Sequence, residues 1–411
     1  MLKLIKEILK KVSYRWLGTL YSAAMGIAIS SIVARVLGPI EFGQFSVALA
    51  AGAIFAVFVN LGLSELIFRE GSLSARKISS TKVLINFSAG YSAVLSILAV
   101  VLIFFAKIQN QALWIVTVIL IFFLNMFQMI SSRAFTLQRY FLDFSLQFTY
   151  RSLGFLFVCL FFLAGLNTAS YTLLAISLGA AVTLLCFRKA TRVVPRLTLT
   201  TDTFKTSIYF AGITLMSTLY TRMDIVLLKA FNAPDRFTGE YAAASRLLEF
   251  LAAICTPVAL LVAKEIRGSR YYGSISPING RRVVVYGAMI GLSISVGFFL
   301  ISSFLVEILF GPQYTTTASY ARAISLSFIF LIPNAVLSQL YLFHNLEKVY
   351  LFIASVTALI NVSLNYLLIS FGHLDLIKWS PMLTELVLFL LILYKAHTLM
   401  SLPIQDLNPS K

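Results

Sequence analysis

Two arginines and two carboxylates fall close together in an otherwise apolar stretch: Arg222, Asp224, Arg246 and Glu249. The run Asn232-Ala233-Pro234-Asp235 between them predicts a turn, so two antiparallel helices would carry the charges. Arg246 and Glu249 are three residues apart and share one helical face. Arg222 and Asp224 are two apart and point in different directions. We therefore expect Asp224 to pair with Arg246 and to leave Arg222 freer.

These charges matter because of the chain that surrounds them. Of its 411 residues, 59% are hydrophobic and only 12% are charged, a composition that excludes a soluble globular protein. Ionisable groups inside a membrane are costly and rare, so the charged pair is a candidate for function. An unpaired guanidinium facing a cavity would suit a diphosphate, which it can hold through two parallel hydrogen bonds. The alternative is a structural ion-pair network that fastens two helices together.

The apolar runs predict an all-α integral membrane protein. Twelve runs are of about the length that crosses a hydrocarbon core of about 30 Å. They are 14–34, 44–67, 83–105, 112–131, 146–165, 168–187, 206–228, 241–263, 283–305, 318–342, 349–371 and 377–396. Little chain remains between them, so no loop is long enough to fold as a soluble domain.

A short repeat divides these spans into two sets of six. Residues 36–48 match residues 231–244, with Pro39 over Pro234 and Gly43 over Gly239. A parallel repeat of this kind places a cargo site between its two halves. The alternative is that the two Gly/Pro turns are similar by chance. The predicted regions are an amphipathic helix (1–13), an N-terminal lobe (14–190), a basic linker (191–205), a C-terminal lobe (206–397) and a tail (398–411).

Loop charges predict the orientation of the chain in the membrane. The net charge is +17, and of 33 Lys and Arg residues 25 fall in segments on one side and six on the other. Because basic loops stay in the cytoplasm, both termini, the amphipathic helix, the linker and the tail are predicted to be cytoplasmic. No nucleic-acid-binding pattern accounts for the positive charge.

Motifs for enzyme chemistry are absent from the sequence. It contains no GxxxxGK[ST], HExxH or GxSxG run, so we expect a protein that is not an enzyme and has no catalytic residues. The three Cys and three His are scattered, which predicts neither a metal site nor a cofactor. Coupling to H⁺ or Na⁺ remains open. Arg35, near the outer end of the first span, is either a further binding residue or an interfacial residue that snorkels.

Several segments together resemble the polysaccharide flippases, the O-antigen (Wzx-type) branch of the multidrug/oligosaccharidyl-lipid/polysaccharide (MOP) superfamily. They are RVLGPIEFGQF (35–45) with NLGL (60–63), Asp224 with GEYAAASRL (239–247), LFGPQY (309–314) and NVSLNYLLI (361–369). The sequence departs from the family after Gly372, near the last two spans, where no GAA pattern follows.

The resemblance implies two six-helix lobes around a central cationic cavity. It implies alternating access that moves a polyprenyl-diphosphate-linked oligosaccharide from the inner to the outer leaflet of a bacterial inner membrane. Membrane lipids and surface-polysaccharide assembly proteins would be the other partners. Arg222 and Arg246 are the positions that could supply the cationic lining. The predicted substrate-binding residues are Arg222, Asp224, Arg246, Glu249 and Arg35.

Three other functions fit parts of the sequence. A multidrug/cation antiporter of the same superfamily would need membrane acids, and the first half offers only Glu65 and Asp143, both near span ends. A peptidoglycan-precursor flippase usually has fourteen helices rather than twelve. A membrane polymerase or ligase would be expected to present a sizeable outer loop, whereas the outer turns here are short.

Overall fold

The computed structural model describes the backbone of residues 2–67, 78–188, 193–271, 277–343 and 346–400. It describes the side chains of residues 17–67, 81–188, 193–253, 255, 284–339, 341 and 346–395. Every regular element in these ranges is helical, which confirms the predicted all-α class. The side chains of the predicted amphipathic helix 1–13, part of the linker (191–192) and the tail from residue 401 lie outside the described residues.

Residues 63–67 form a short helical segment, and twelve further α-helices have both ends within the described residues. They are α1 (Leu2–Asn60), α2 (Ile78–Ala106), α3 (Gln111–Thr136), α4 (Tyr140–Leu163), α5 (Ala169–Cys186), α6 (Thr201–Ala230), α7 (Asp235–Tyr271), α8 (Pro277–Phe310), α9 (Thr317–Ser325), α10 (Phe328–Phe343), α11 (Glu347–Ser370) and α12 (Ser380–Met400), with a 3₁₀ helix at Leu374–Trp379 before α12.

The helices do not correspond one to one with the predicted spans. α1 holds the first predicted span and most of the second, which it leaves at Asn60 before a turn at residues 61 and 62. It is kinked at Gly38, whose φ of 72° lies in the region that favours glycine. The tenth span is broken, because α9 and α10 meet at an angle of 49°.

Eight described helices are long and apolar enough to cross a membrane, or nine if α9 and α10 form one bent span. One of the eight, Leu17–Asn60, is 44 residues long and covers most of two predicted spans. The charged helix α6, of 30 residues, does not reach the same apolarity, and many side chains of α7, of 37 residues, lie outside the described residues. Each still exceeds the length of about 20 residues that a crossing needs. If α1 counts as two crossings, α9 with α10 as one bent crossing, and α6 and α7 as one each, the described helices account for about twelve crossings.

Contacts divide the chain into two compact units. One comprises Met1–Thr218 with Pro234–Gly239, and the other comprises Leu219–Ala233 with Glu240–Lys411. The structural division therefore falls inside α6, whereas the sequence places the division in the linker 191–205.

Packing of the segment before α6 explains why the first unit extends so far. The backbone N–H of Arg196 donates to the carbonyl of Asn86 on α2 at 2.9 Å. The Asn86 side chain accepts from the N–H of Val194 at 3.0 Å. Val193, Leu199 and Phe210 pack against a buried cluster in the same unit. The chain on both sides of the start of α6 is thus bound to the first unit by hydrogen bonds and apolar contacts.

The two repeat motifs contact each other closely within the first unit. A Cβ atom added to Gly43 would lie 2.5 Å from the carbonyl oxygen of Asp235 and 3.1 Å from the nitrogen of Gly239. A Cβ atom on Gly239 would collide with the carbonyl oxygen of Pro39. Glycine is therefore required at both positions so that the two backbones can approach.

The residue that follows each of these glycines makes an equivalent contact. Gln44 Oε1 accepts from Asn110 Nδ2, in the turn between α2 and α3, at 3.1 Å. Glu240 Oε2 accepts from the N–H of Thr316, in the turn between α8 and α9, at 2.8 Å. Each motif thus fastens the next helical hairpin of its own half, which argues against chance similarity of two turns.

Candidate functional site

One carboxylate binds two guanidinium groups in the second unit. Glu249 on α7 accepts from Arg222 on α6 through Oε1 and from Arg246 through Oε2, the latter at 2.9 Å. The Arg222 and Arg246 side chains are 23% and 17% exposed, and Glu249 is 34% exposed. The shared helical face of Arg246 and Glu249 is as the sequence predicts. The three side chains together carry one net positive charge, and we call them the arginine–glutamate cluster.

The predicted pairing of Asp224 with Arg246 is wrong. Asp224 instead accepts from the hydroxyl of Tyr241 at 2.5 Å and from the N–H of Ile225 at 2.8 Å. The geometry of an antiparallel pair explains this choice. Asp224 precedes Asn232 by eight residues and Tyr241 follows it by nine, so the two lie at nearly the same level. Arg246 is more than one turn farther along α7, beyond easy reach of Asp224.

The prediction that Arg222 remains freer is also wrong, because Arg222 forms an ion pair with Glu249. Spacing along the chain pairs Glu249 only with Arg246 of its own helix. The two oxygens of an ionised carboxyl group can, however, accept from different helices at once. Arg222 is therefore held in a defined orientation at the site.

The four charges of this helix pair have no charged counterparts at the matching positions of the first half. Extending the match through the turns places four apolar residues of α1 over the charged residues. Arg222, Asp224, Arg246 and Glu249 correspond to Ile27, Ile29, Ala50 and Ala53, and Tyr241 corresponds to Phe45. Apolar side chains at these positions are thus sufficient for the corresponding helix pair in the first half. The charges of the second half are not needed merely to pack two such helices together.

Tyr241 is a site residue that the sequence reasoning missed. It is fully buried, and its hydroxyl satisfies one oxygen of Asp224, which is only 7% exposed. The available signal was the match of Tyr241 to Phe45, since a buried tyrosine hydroxyl usually requires a hydrogen-bond partner. The nearest acid at its level, Asp224, could have been identified from that requirement.

Arg35 belongs to the first unit, three residues before the kink at Gly38, and its side chain is exposed. Its predicted part in substrate binding stays a prediction.

A second buried acid was also missed. Glu385 on α12 is 9% exposed, and its Oε2 accepts from Asn334 Nδ2 on α10 at 2.7 Å. The same amide donates to the backbone carbonyl of Glu385 at 2.9 Å. Within the described side chains, no Lys or Arg forms an ion pair with Glu385. An acid inside the last predicted span was visible in the sequence, and buried membrane acids are candidates for function.

The profile of a family described as polysaccharide biosynthesis protein matches residues 8–263, which include the whole arginine–glutamate cluster. The chain belongs to this family. Its members are membrane flippases of the MOP superfamily, so the chain is a multi-pass membrane protein of a transporter family. No curated protein matches the sequence.

Solved structures with the same fold cover almost the whole chain. "Lipid II flippase MurJ, inward closed conformation" has a TM-score of 0.69 at 14% identity, covering 96% of this chain and 89% of the other. A multidrug resistance MATE family transporter of the MOP superfamily, in its outward-facing conformation, has a TM-score of 0.66 at 13% identity, covering 96% and 97%. A MOP superfamily transporter from Pyrococcus furiosus has a TM-score of 0.62 at 14% identity, covering 96% and 97%. These similarities confirm the predicted MATE/MOP-like fold.

Proposed function

We propose that this protein is a flippase for a polyprenyl-diphosphate-linked oligosaccharide, the repeat unit of O-antigen or of another surface polysaccharide. It moves this lipid from the inner to the outer leaflet by alternating access. The arginine–glutamate cluster is the observation that carries the proposal, because it holds a net positive charge in a partly buried place. The family description supports the sugar part of the cargo, and the name of the MurJ structure supports a lipid-linked one.

The cluster suits a diphosphate because of how its donors are used. A guanidinium has five N–H groups in a planar fork, and Arg222 contacts Glu249 through Nη1. A phosphate can approach the remaining donors of that fork. Glu249 neutralises part of the charge while the site is empty and keeps both forks oriented. An arriving diphosphate binds these remaining donors and competes with the carboxylate for the positive charge of the two guanidinium groups, so it weakens the ion pairs with Glu249.

The proposed place of action is the bacterial inner membrane, with both termini in the cytoplasm. The basis is the asymmetry of 25 to six Lys and Arg residues between the two sides. The partners are the lipid-linked oligosaccharide, membrane lipids and surface-polysaccharide assembly proteins, with no role for nucleic acid. We further propose that transport is coupled to H⁺ or Na⁺. Glu385 is the candidate carrier, since it is buried and no Lys or Arg among the described side chains forms an ion pair with it.

A peptidoglycan-precursor flippase is the second candidate, in view of the TM-score to MurJ. A reconstituted system separates the two cargoes. Purified protein in liposomes would receive either a fluorescent polyprenyl-diphosphate oligosaccharide or lipid II, and quenching of the outer leaflet would report translocation. We expect flipping of the oligosaccharide lipid, and its loss in the double variant Arg222→Gln with Arg246→Gln. Transport of a cationic dye with no movement of either lipid would contradict the proposal and favour a multidrug antiporter.

A further inference from the structure

A second pair of arginines lies in the first unit, where α3 ends and α4 begins. Arg133 is in the last turn of α3, and Arg139 is the residue before α4. The turn between them is closed by the N–H of Arg139, which donates to the carbonyl of Ala134 at 2.8 Å. α3 and α4 are both candidate membrane spans. The turn therefore lies where two spans leave the apolar core of the membrane.

Both arginines line a single cavity of about 110 Å³. The other lining residues are all aliphatic: Ile85, Ile130, Ala134, Leu137 and Leu142. At about 30 Å³ for each water in the liquid, the cavity has room for roughly three waters or a small anionic group. The cavity thus combines two guanidinium groups with an apolar wall.

The described residues leave this positive charge unbalanced. Arg133 Nε is buried and has no hydrogen-bond partner. The neighbouring charge that acts on Arg133 is Arg139, which has the same sign. Asp143, the acid nearest in sequence, accepts from Ser131 and from Gln147 Nε2, the latter at 3.2 Å. Among the described side chains, neither arginine donates a hydrogen bond or forms an ion pair. Like charges beside a buried unpaired donor are unfavourable unless an anion joins them.

We propose that this cavity binds the phosphate group of a membrane lipid. Two guanidinium forks match the oxygens of a phosphate, which they can bind in bidentate fashion. The aliphatic wall matches the chain that a lipid carries next to its head group. Phospholipids and polyprenyl phosphates both supply this chemistry at the membrane surface. No residue of the arginine–glutamate cluster takes part, so this inference does not rest on the proposed transport function.

The test measures lipid binding rather than transport. The full chain, purified in an uncharged detergent, would be titrated with phosphatidylglycerol, polyprenyl phosphate, inorganic phosphate or diacylglycerol, which lacks phosphate. The shift of the melting temperature and native mass spectrometry would both report binding. The variants are Arg133→Gln, Arg139→Gln and the double variant. The matched control is Arg188→Gln with Arg196→Gln, which removes the same charge from exposed positions of the same unit.

We expect at least one of the two phosphate lipids to bind, and the one that does identifies the source. Each Gln variant should weaken binding about tenfold through loss of a charged hydrogen bond, and the control should leave it unchanged. Arg133→Lys should fall between wild type and Gln, because Lys keeps the charge but not the fork.

Without lipid, Arg133→Gln should be at least as stable as wild type, since it relieves the repulsion with Arg139. Binding by inorganic phosphate alone, or equal binding by the double variant and the control, would overturn the proposal. So would a lower melting temperature of Arg133→Gln in the absence of lipid, which would indicate that Arg133 already has an anionic partner in the protein.

Discussion

The hydroxyl of Tyr241 donates a 2.5 Å hydrogen bond to the carboxylate of Asp224, from one helix of the charged pair to the other. Both side chains are buried, so this bond satisfies a charge that has left water. Tyr241→Phe should therefore lower stability by about 1–3 kcal/mol, the cost of an unsatisfied buried acceptor. The measurement is the melting temperature of the purified protein together with its abundance in the membrane.

The first half of the chain provides the control for this prediction. Asp224→Ile combined with Tyr241→Phe recreates the residues Ile29 and Phe45, which occupy the matching positions there. The double variant should recover most of the stability that Tyr241→Phe loses, because no polar group remains unsatisfied. If Tyr241→Phe has no effect by itself, Asp224 does not depend on this hydroxyl.

A graded series at Arg222 tests its role in cargo binding. At equal membrane abundance, oligosaccharide-lipid flipping should decrease from wild type to Arg222→Lys to Arg222→Gln, because Lys offers a point charge without the fork. The assay is surface polysaccharide in cells, or accumulation of the cytoplasm-facing intermediate. Full flipping by Arg222→Gln would exclude Arg222 from the site and leave Arg246 as its arginine.

The orientation can be checked by labelling single cysteines. In a background without Cys159, Cys186 and Cys255, cysteines at Lys107 and Asn232 should react with an impermeant thiol reagent from outside, and cysteines at Arg188 and Arg196 should not. All four positions are exposed, so burial does not limit the reaction. The opposite labelling pattern would invert the predicted topology.

The glycine contact in the first unit predicts a steric effect. Gly239→Ala should reduce abundance, because the new Cβ would collide with the carbonyl oxygen of Pro39 and lie 3.1 Å from the nitrogen of Gly43. Gly297→Ala on α8 is the control, since nothing lies within 4 Å of the added Cβ. It should be neutral or stabilising by about 0.5–1 kcal/mol through helix propensity. Equal abundance of the two variants would show that the turn adjusts to a side chain.

Glu385→Gln tests ion coupling separately from cargo binding. Gln keeps an acceptor for Asn334 but cannot exchange a proton. If coupling runs through Glu385, flipping in liposomes should lose its dependence on the ion gradient while exchange without a gradient continues. Asp202→Asn, a change at an exposed acid of α6, should preserve the dependence. A Glu385→Gln variant that still responds to the gradient would place coupling elsewhere.

The sequence was sufficient for the helices, the repeat and the charged pair, because each depends on local pattern and spacing. It did not determine the partners within the pair. The partner of Asp224 depends on which residues of the two antiparallel helices lie at the same level. Tyr241 lies at the level of Asp224, and Arg246 does not. The partner of Arg222 depends on Glu249 accepting from two helices. The break between α9 and α10 lies inside an apolar run, where hydropathy alone does not distinguish a straight helix from a bent one.

The contrast between the two halves bears on how such a protein arises. A chain whose halves match is the product expected when a gene for a six-helix ancestor is duplicated and fused. Once two copies are joined, each is free to diverge, and one can keep the scaffold while the other specialises. The first half has the apolar residues Ile27, Ile29, Ala50 and Ala53 of a scaffold, and the second half has charged residues at the matching positions. A symmetric dimer of identical halves could not hold such a difference, whereas two copies that have diverged can.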